Sequence, residues 1–298
     1  MISSNKVLLF FTALFFSLPL YAFEMGSWLF TPPEMIKGSL KQSYQEGQKQ
    51  TIFDSTNILY PIKKTPEEVI VTSAKYSHSK YFFDLYDQQI SFGVSRRYSE
   101  NTQSALLASY GSSSDKPFHN QSLTTFNLTA FYFKENWFYA LNYSNNRAIF
   151  NNIPLPGIGY IHKTDSLTAT FGLPFANVVW KATEKTLVMI SAMVPYAYRI
   201  NINYFIIGPV QTYAGADSQM QSYTLKDRPI DDERLYIKSK NLFIGIKSPL
   251  SKNIVFDIEA VQTFDREMIY SKALSETPRL SEKMLSENYL KSSLSLLW

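Results

Sequence analysis

The chain has 298 residues, with 29 Lys and Arg against 25 Asp and Glu, a formal net charge of +4 at neutral pH. That balance excludes the strongly basic surface that nucleic-acid binding requires. The sequence holds no Cys, which excludes a disulfide framework and lipid attachment at a cysteine, while its 20 Tyr and 22 Phe supply rings suited to a membrane interface.

The N-terminus reads as an export signal. Lys6 precedes an apolar run over residues 7–18, and Pro19-Leu20-Tyr21-Ala22 follows as a small-residue exit. The run is shorter than the roughly 18 to 20 residues of a spanning helix, so residues 1–22 are predicted to be removed as a signal peptide. Residues 23–298 are then expected to form a single domain. No later stretch is long and apolar enough to cross a bilayer as a helix.

Further along, apolar and polar residues alternate, as they do in strands whose two faces meet different media. Alternating runs cover residues 36–44, 90–98, 102–110 and 124–132, the last with Phe126, Leu128, Ala130 and Tyr132 on one face and Thr125, Asn127 and Thr129 on the other. Trp137, Tyr139, Leu141 and Tyr143 continue the pattern, followed by runs at 167–171, 178–182, 200–206 and 242–246. In the run over 254–260, Ile254, Phe256, Ile258 and Ala260 face one way and Asp257 and Glu259 the other. No comparable run repeats at helical spacing, so the chain is predicted to be all-β. Pro154, Pro156, Pro174 and Pro195 fall at or near expected strand ends, where a missing amide donor costs least.

The connections give a topology. Short polar turns are expected at 63–67, 99–101, 134–136, 163–165, 183–185 and 248–252. Longer connections fall between them at 79–88, 111–120, 150–155, 173–176, 208–233 and 265–287, and the two sets alternate. The expectation is a transmembrane antiparallel up-and-down β-barrel of about 14 strands, or about 12 if residues 36–60 stand outside the wall, with short periplasmic turns and longer outer loops. The closing run, residues 290–298, carries Leu290, Leu294, Leu296 and Trp298 on one face. It resembles the C-terminal signal read by the barrel-assembly machinery, with Trp298 in place of the usual Phe.

Residues 151–160 (Asn-Asn-Ile-Pro-Leu-Pro-Gly-Ile-Gly-Tyr) and 171–175 (Phe-Gly-Leu-Pro-Phe), with Arg234-Leu235-Tyr236 and Phe264-Asp265-Arg266 further on, resemble an uncharacterised outer-membrane β-barrel family of the DUF6268 type. The resemblance implies the barrel fold and brings no activity with it.

Chemistry-bearing residues are few. The three His residues, His78, His119 and His162, fall on different expected elements and lack metal-ligand spacing, so neither a metal nor a cofactor is expected. Ser77-His78-Ser79 is the candidate for a lipid hydrolase, but adjacent strand residues point to opposite faces. The charged run over residues 226–234 lacks a calcium-loop pattern and reads as a solvated outer loop. Charges inside expected strands must avoid lipid, since Arg or Lys near the midplane costs roughly 2–4 kcal/mol. Lys181, Arg199, Asp257 and Glu259 are therefore candidate lumen-facing residues. These features lead to a passive channel or small-solute porin in the outer membrane of a Gram-negative bacterium, with outer-membrane lipid and lipopolysaccharide as its surroundings. The alternatives are a structural or surface-interaction barrel contacting lipopolysaccharide or a host partner and, behind it, a lipid-modifying hydrolase.

Overall fold

The structure, a computed structural model, describes residues 37–47, 52–147, 150–173, 175–193, 197–230, 232–273 and 276–298. The expected export signal and the Pro174 and Pro195 positions lie outside the described residues. One antiparallel sheet runs through β1 (Ser39–Gly47), β2 (Ile52–Lys64), β3 (Glu68–Lys80), β4 (Asp84–Ser99), β5 (Thr102–Ser114), β6 (Thr124–Lys134), β7 (Trp137–Ser144) and β8 (Leu155–Lys163). It continues through β9 (Leu167–Leu173), β10 (Phe175–Lys181), β11 (Thr186–Met193), β12 (Ala197–Ile207), β13 (Val210–Tyr223), β14 (Arg234–Pro249), β15 (Ile254–Ser271), β16 (Leu280–Met284) and β17 (Glu287–Leu297). Sequential strands pair, and β1 also pairs with β17, which closes the sheet into a barrel. β16 and β17 lie end to end along β15, against residues 266–270 and 254–263, so the wall has sixteen staves.

The expectation of 14 strands, or 12, is therefore corrected to sixteen. Residues 36–60 do contribute two staves, which removes the lower number. Residues 186–207, read as one strand, are the pair β11 and β12, and residues 210–223, read as outer loop, are β13. The two missed staves leave the alternation of turn and loop intact, so the miscount produced no parity error in the sequence. Residues 265–287 are likewise mostly wall, leaving 272–279 as the connection.

Seven connections of two to four residues, the start of β1 and the end of β17 gather at one end of the barrel, the turn end. One of them is the two-residue turn at 208–209, where Gly208 takes a φ of +54°. The opposite, loop end carries connections of one to ten residues, several as short as the turns, so long outer loops are a property of only part of this rim.

The outer face shows what surrounds the barrel. Exposed Tyr60, Tyr98, Tyr132, Trp137, Trp180 and Tyr204 form a girdle towards the turn end, and exposed Tyr44, Tyr76, Tyr110, Phe126, Phe171 and Tyr198 form another towards the loop end. Between them stand exposed aliphatic side chains such as Ile58, Ile90, Leu106, Ile200 and Ile202. On β12 the girdle residues Tyr198 and Tyr204 are six residues apart, roughly 20 Å at about 3.3 Å per residue. Two aromatic belts flanking an aliphatic band are the outer-face pattern of a barrel wall in lipid and would be hard to keep in water.

Candidate functional site

The candidate site is the barrel interior. Paired residues on antiparallel neighbours share a face, so inward side chains form rows around the wall. One row runs Lys247, Asp257, Ser293, Ser43, Ser55 and Ser77 across β14, β15, β17, β1, β2 and β3. A second runs Ser191, Arg199, Asp217, Asn241, Thr263 and Glu287. Apolar inward patches lie elsewhere, with Val69, Val71, Ala105 and Leu107 on one side and Val179, Leu187 and Met189 on another.

Arg199 is the hub of the second row. Its guanidinium donates to Asp217 Oδ2 and to Glu259 Oε2, each at 3.4 Å, and lies 4.1 Å over the Phe243 ring. Lys291 Nζ stands 3.6 Å from the other Glu259 oxygen. Asn241 and Gln219 donate to Asp217 at 2.6 and 3.1 Å, and the Tyr213 hydroxyl donates to Asp257 at 2.7 Å. Two buried carboxylates around one guanidinium form a charge-assisted arrangement that holds β12, β13 and β15 in register. Of the four candidate lumen residues, Arg199, Asp257 and Glu259 thus meet in one region. Lys181 sits apart from them, at the turn end of β10, opposite the buried Leu187 of β11.

Sequence reasoning missed Asp217 because it falls in the stretch read as outer loop. It also missed Lys291, although the parity that turns Leu290 outward turns Lys291 inward. A polar cavity of about 70 Å³ is lined by Asp217, Glu259 and Lys291 of this network and reaches Ser43, Tyr81 and the ion pair of Arg266 with Glu287. That pair is closed at 2.7 Å. That volume is room for a few waters beside the ion pairs.

The interior ends at a constricted mouth. The Thr224 amide donates to the Ser113 carbonyl at 2.8 Å and the Lys226 amide to Asp115 Oδ1 at 2.8 Å. These bonds join the loop ends of β5 and β13, which are eight staves apart in a wall of sixteen and so diametrically opposed. Arg234 at the start of β14 donates to the Asn145 carbonyl at 2.5 Å and to the Asn146 side chain, both just beyond β7. Beneath these ties Leu85, Tyr223, Leu235, Ile237 and Met268 form a buried cluster, with Tyr81 and Phe83 packed against it. Burial raises the Tyr81 phenol above its ordinary range, against the opposing pull of Arg266. In the charged run near the rim, buried Glu233 takes two bonds from Arg279, at 2.6 and 3.0 Å.

The hydrolase candidate does not assemble. Ser77 and Ser79 are buried on the inward face, whereas His78 turns outward, 2.8 Å from Asp84 and stacked on Tyr86. Leu290, Leu294 and Trp298 are exposed on the outer face of the closing stave, and Leu296 has the same parity. Trp298 also exchanges both backbone hydrogen bonds with Gly38, each at 3.1 Å, which seals the end of the β1–β17 seam.

No protein-family model matches the chain, and no curated protein matches it. Among solved structures, it is similar to OmpT, an outer membrane protein of Vibrio cholerae, with 8% identity, a TM-score of 0.35 and coverage of 88% of this chain and 98% of that one. It is similar to the NanC porin at 9% identity and a TM-score of 0.33, covering 87% and 98%. For the CymD monoaromatic hydrocarbon channel the values are 9% and 0.34, covering 89% of each chain. Likeness at this level carries no argument about what the chain does, which has to come from its own residues.

Proposed function

We propose that the protein is an outer-membrane channel for small polar solutes, with a lumen that is narrow and constricted at the loop end. The observation that carries this reading is the charged interior around Arg199, Asp217, Glu259 and Lys291. A barrel that served only as a membrane scaffold could fill its interior with apolar side chains and avoid the desolvation of four charges. A path for hydrated solutes needs polar groups along its wall. The aromatic belts and the aliphatic band support placement in a bilayer.

A second reading has its own observation. The bonds between β5 and β13 and the apolar cluster beneath them draw the loop end together, which favours a structural or surface-interaction barrel. Planar-bilayer recording of the refolded protein decides between them. A channel should give discrete current steps in potassium chloride, blocked by no lipid component. A protein that inserts, shows heat-dependent gel mobility and yet passes no current belongs to the second reading.

A further inference from the structure

The outer face of the wall changes character where the barrel closes. Ser292, Gln42, Thr56 and Ala74 stand on the consecutive staves β17, β1, β2 and β3, and all four point outward. Register places them at the inner edge of the loop-end aromatic belt. Ser292 is paired with Tyr44 and Thr56 with Tyr76, while Gln42 and Ala74 lie two residues from those rings towards the turn end. At the same depth inside the belt β6 and β12 carry Leu128 and Ile200. Gln42 is exposed, and among the described residues its side-chain amide meets no hydrogen-bond partner.

We infer that this patch is a self-association surface, at which Gln42 pairs with the same residue of a second copy of the chain across a two-fold axis along the membrane normal. Hydrocarbon offers an amide neither donor nor acceptor, so a carboxamide on the lipid side of the wall needs a protein partner. An amide has N–H donors and a carbonyl acceptor, and a second amide complements it, each donating to the other's oxygen. A two-fold contact supplies that pairing from a single side chain, because it sets one patch against itself. Ser292, Thr56 and Ala74 keep the surface low around Gln42, which lets two walls approach until the amides meet. Exposed Leu294, paired with Gln42, and Ile58, paired with Ala74, supply the apolar contact beside them. Such pairing requires the barrel to sit in a bilayer and is independent of whether its lumen conducts. It would also cover the seam between β1 and β17, the pairing that closes the sheet.

The chain has no Cys, so single introduced thiols report contacts cleanly. Gln42→Cys and, as control, Ile158→Cys on the exposed outer face of β8 are each refolded into phosphatidylcholine vesicles and mildly oxidised. Most of the folded Gln42→Cys protein should run as a disulfide-linked dimer on a non-reducing gel, and little of the control. After extraction into a mild non-ionic detergent, light scattering should give the mass of a dimer for the wild type and of a monomer for Gln42→Leu. Folding of each variant is read from heat-dependent gel mobility. Should Gln42→Leu fail to fold, the two thiol variants still decide. A monomeric wild type, equal cross-linking at the two thiol positions, or a Gln42→Leu variant that stays dimeric overturns the surface.

Discussion

Phe138 points into the lumen from β7 yet has no solvent exposure, because two neighbouring staves give it a trough without side chains. A Cβ built on Gly159 would lie 2.2 Å from the Phe138 ring and 2.6 Å from the Phe171 carbonyl, and one on Gly172 would lie 2.7 Å from the same ring. Phe138 in turn stacks on Phe175 with centroids 5.1 Å apart. The substitution Gly159→Ala therefore forces a ring and a backbone oxygen apart together. It should lower stability by about 1–3 kcal/mol, the usual penalty for overpacking, read as a lower urea midpoint of the refolded barrel by tryptophan fluorescence. An unchanged midpoint would mean that β7 to β9 are packed loosely enough to take the extra carbon. None of this trough is visible in the sequence, where Phe138 is simply an aromatic on the polar side of an alternating run. Its glycines come from β8 and β9, and only their register brings them under the ring. The charged residues behave similarly: parity turns Arg199 and Glu259 inward, but their meeting depends on the stagger of strands sixty residues apart in the chain.

Individual strands were legible in proportion to the contrast between their faces. β6, β7, β14 and β15 alternate strongly and were read with their turns almost in place. β11 has apolar residues on both faces, Leu187 and Met189 inward and Val188 and Ile190 outward, so it gave no period of two and merged with β12. β13 fails for the opposite reason: its outward face is small or weakly apolar, with Thr212, Ala214, Ala216, Ser218 and Ser222. Its large residues, Tyr213 and Tyr223, point inward and are buried. The closing stave combines a clear face with a terminal anchor. Besides its backbone bonds to Gly38, the Trp298 indole occupies the space where a Cβ on Gly38 would sit, 2.1 Å from the ring nitrogen. Deleting Trp298 should therefore open the end of the seam and remove an outward aromatic at once. The folded, heat-modifiable protein in outer-membrane fractions should fall while total synthesis is unchanged. Normal folded levels of the truncated chain would assign closure of the seam to the rest of β17.

At the scale of the whole barrel, sixteen staves would ordinarily enclose an aqueous channel, and here the loop end is drawn together across its diameter. The ties between β5 and β13 are two amide donors to a carbonyl and a carboxylate, and the apolar cluster beneath them joins β4 to β13, β14 and β15. A few hydrogen bonds of this kind are worth about 1 kcal/mol each, more to a charged acceptor, so the contact is strong enough to define a resting shape and weak enough to be broken by thermal motion. A chain without Cys makes this directly testable. The double variant Asp115→Cys, Lys226→Cys places its only thiols on the two segments that the Lys226 amide and the Asp115 carboxylate now join at 2.8 Å. Mild oxidation of the membrane-embedded protein should give an intramolecular bridge in high yield, seen as a mobility change on a non-reducing gel. Under oxidising conditions the current should fall, and dithiothreitol should restore it, because separating these two rims is what widens the path. If the bridge does not form, the rims stand apart in the membrane. If it forms and the current is indifferent to it, solutes pass by a route that this contact does not control.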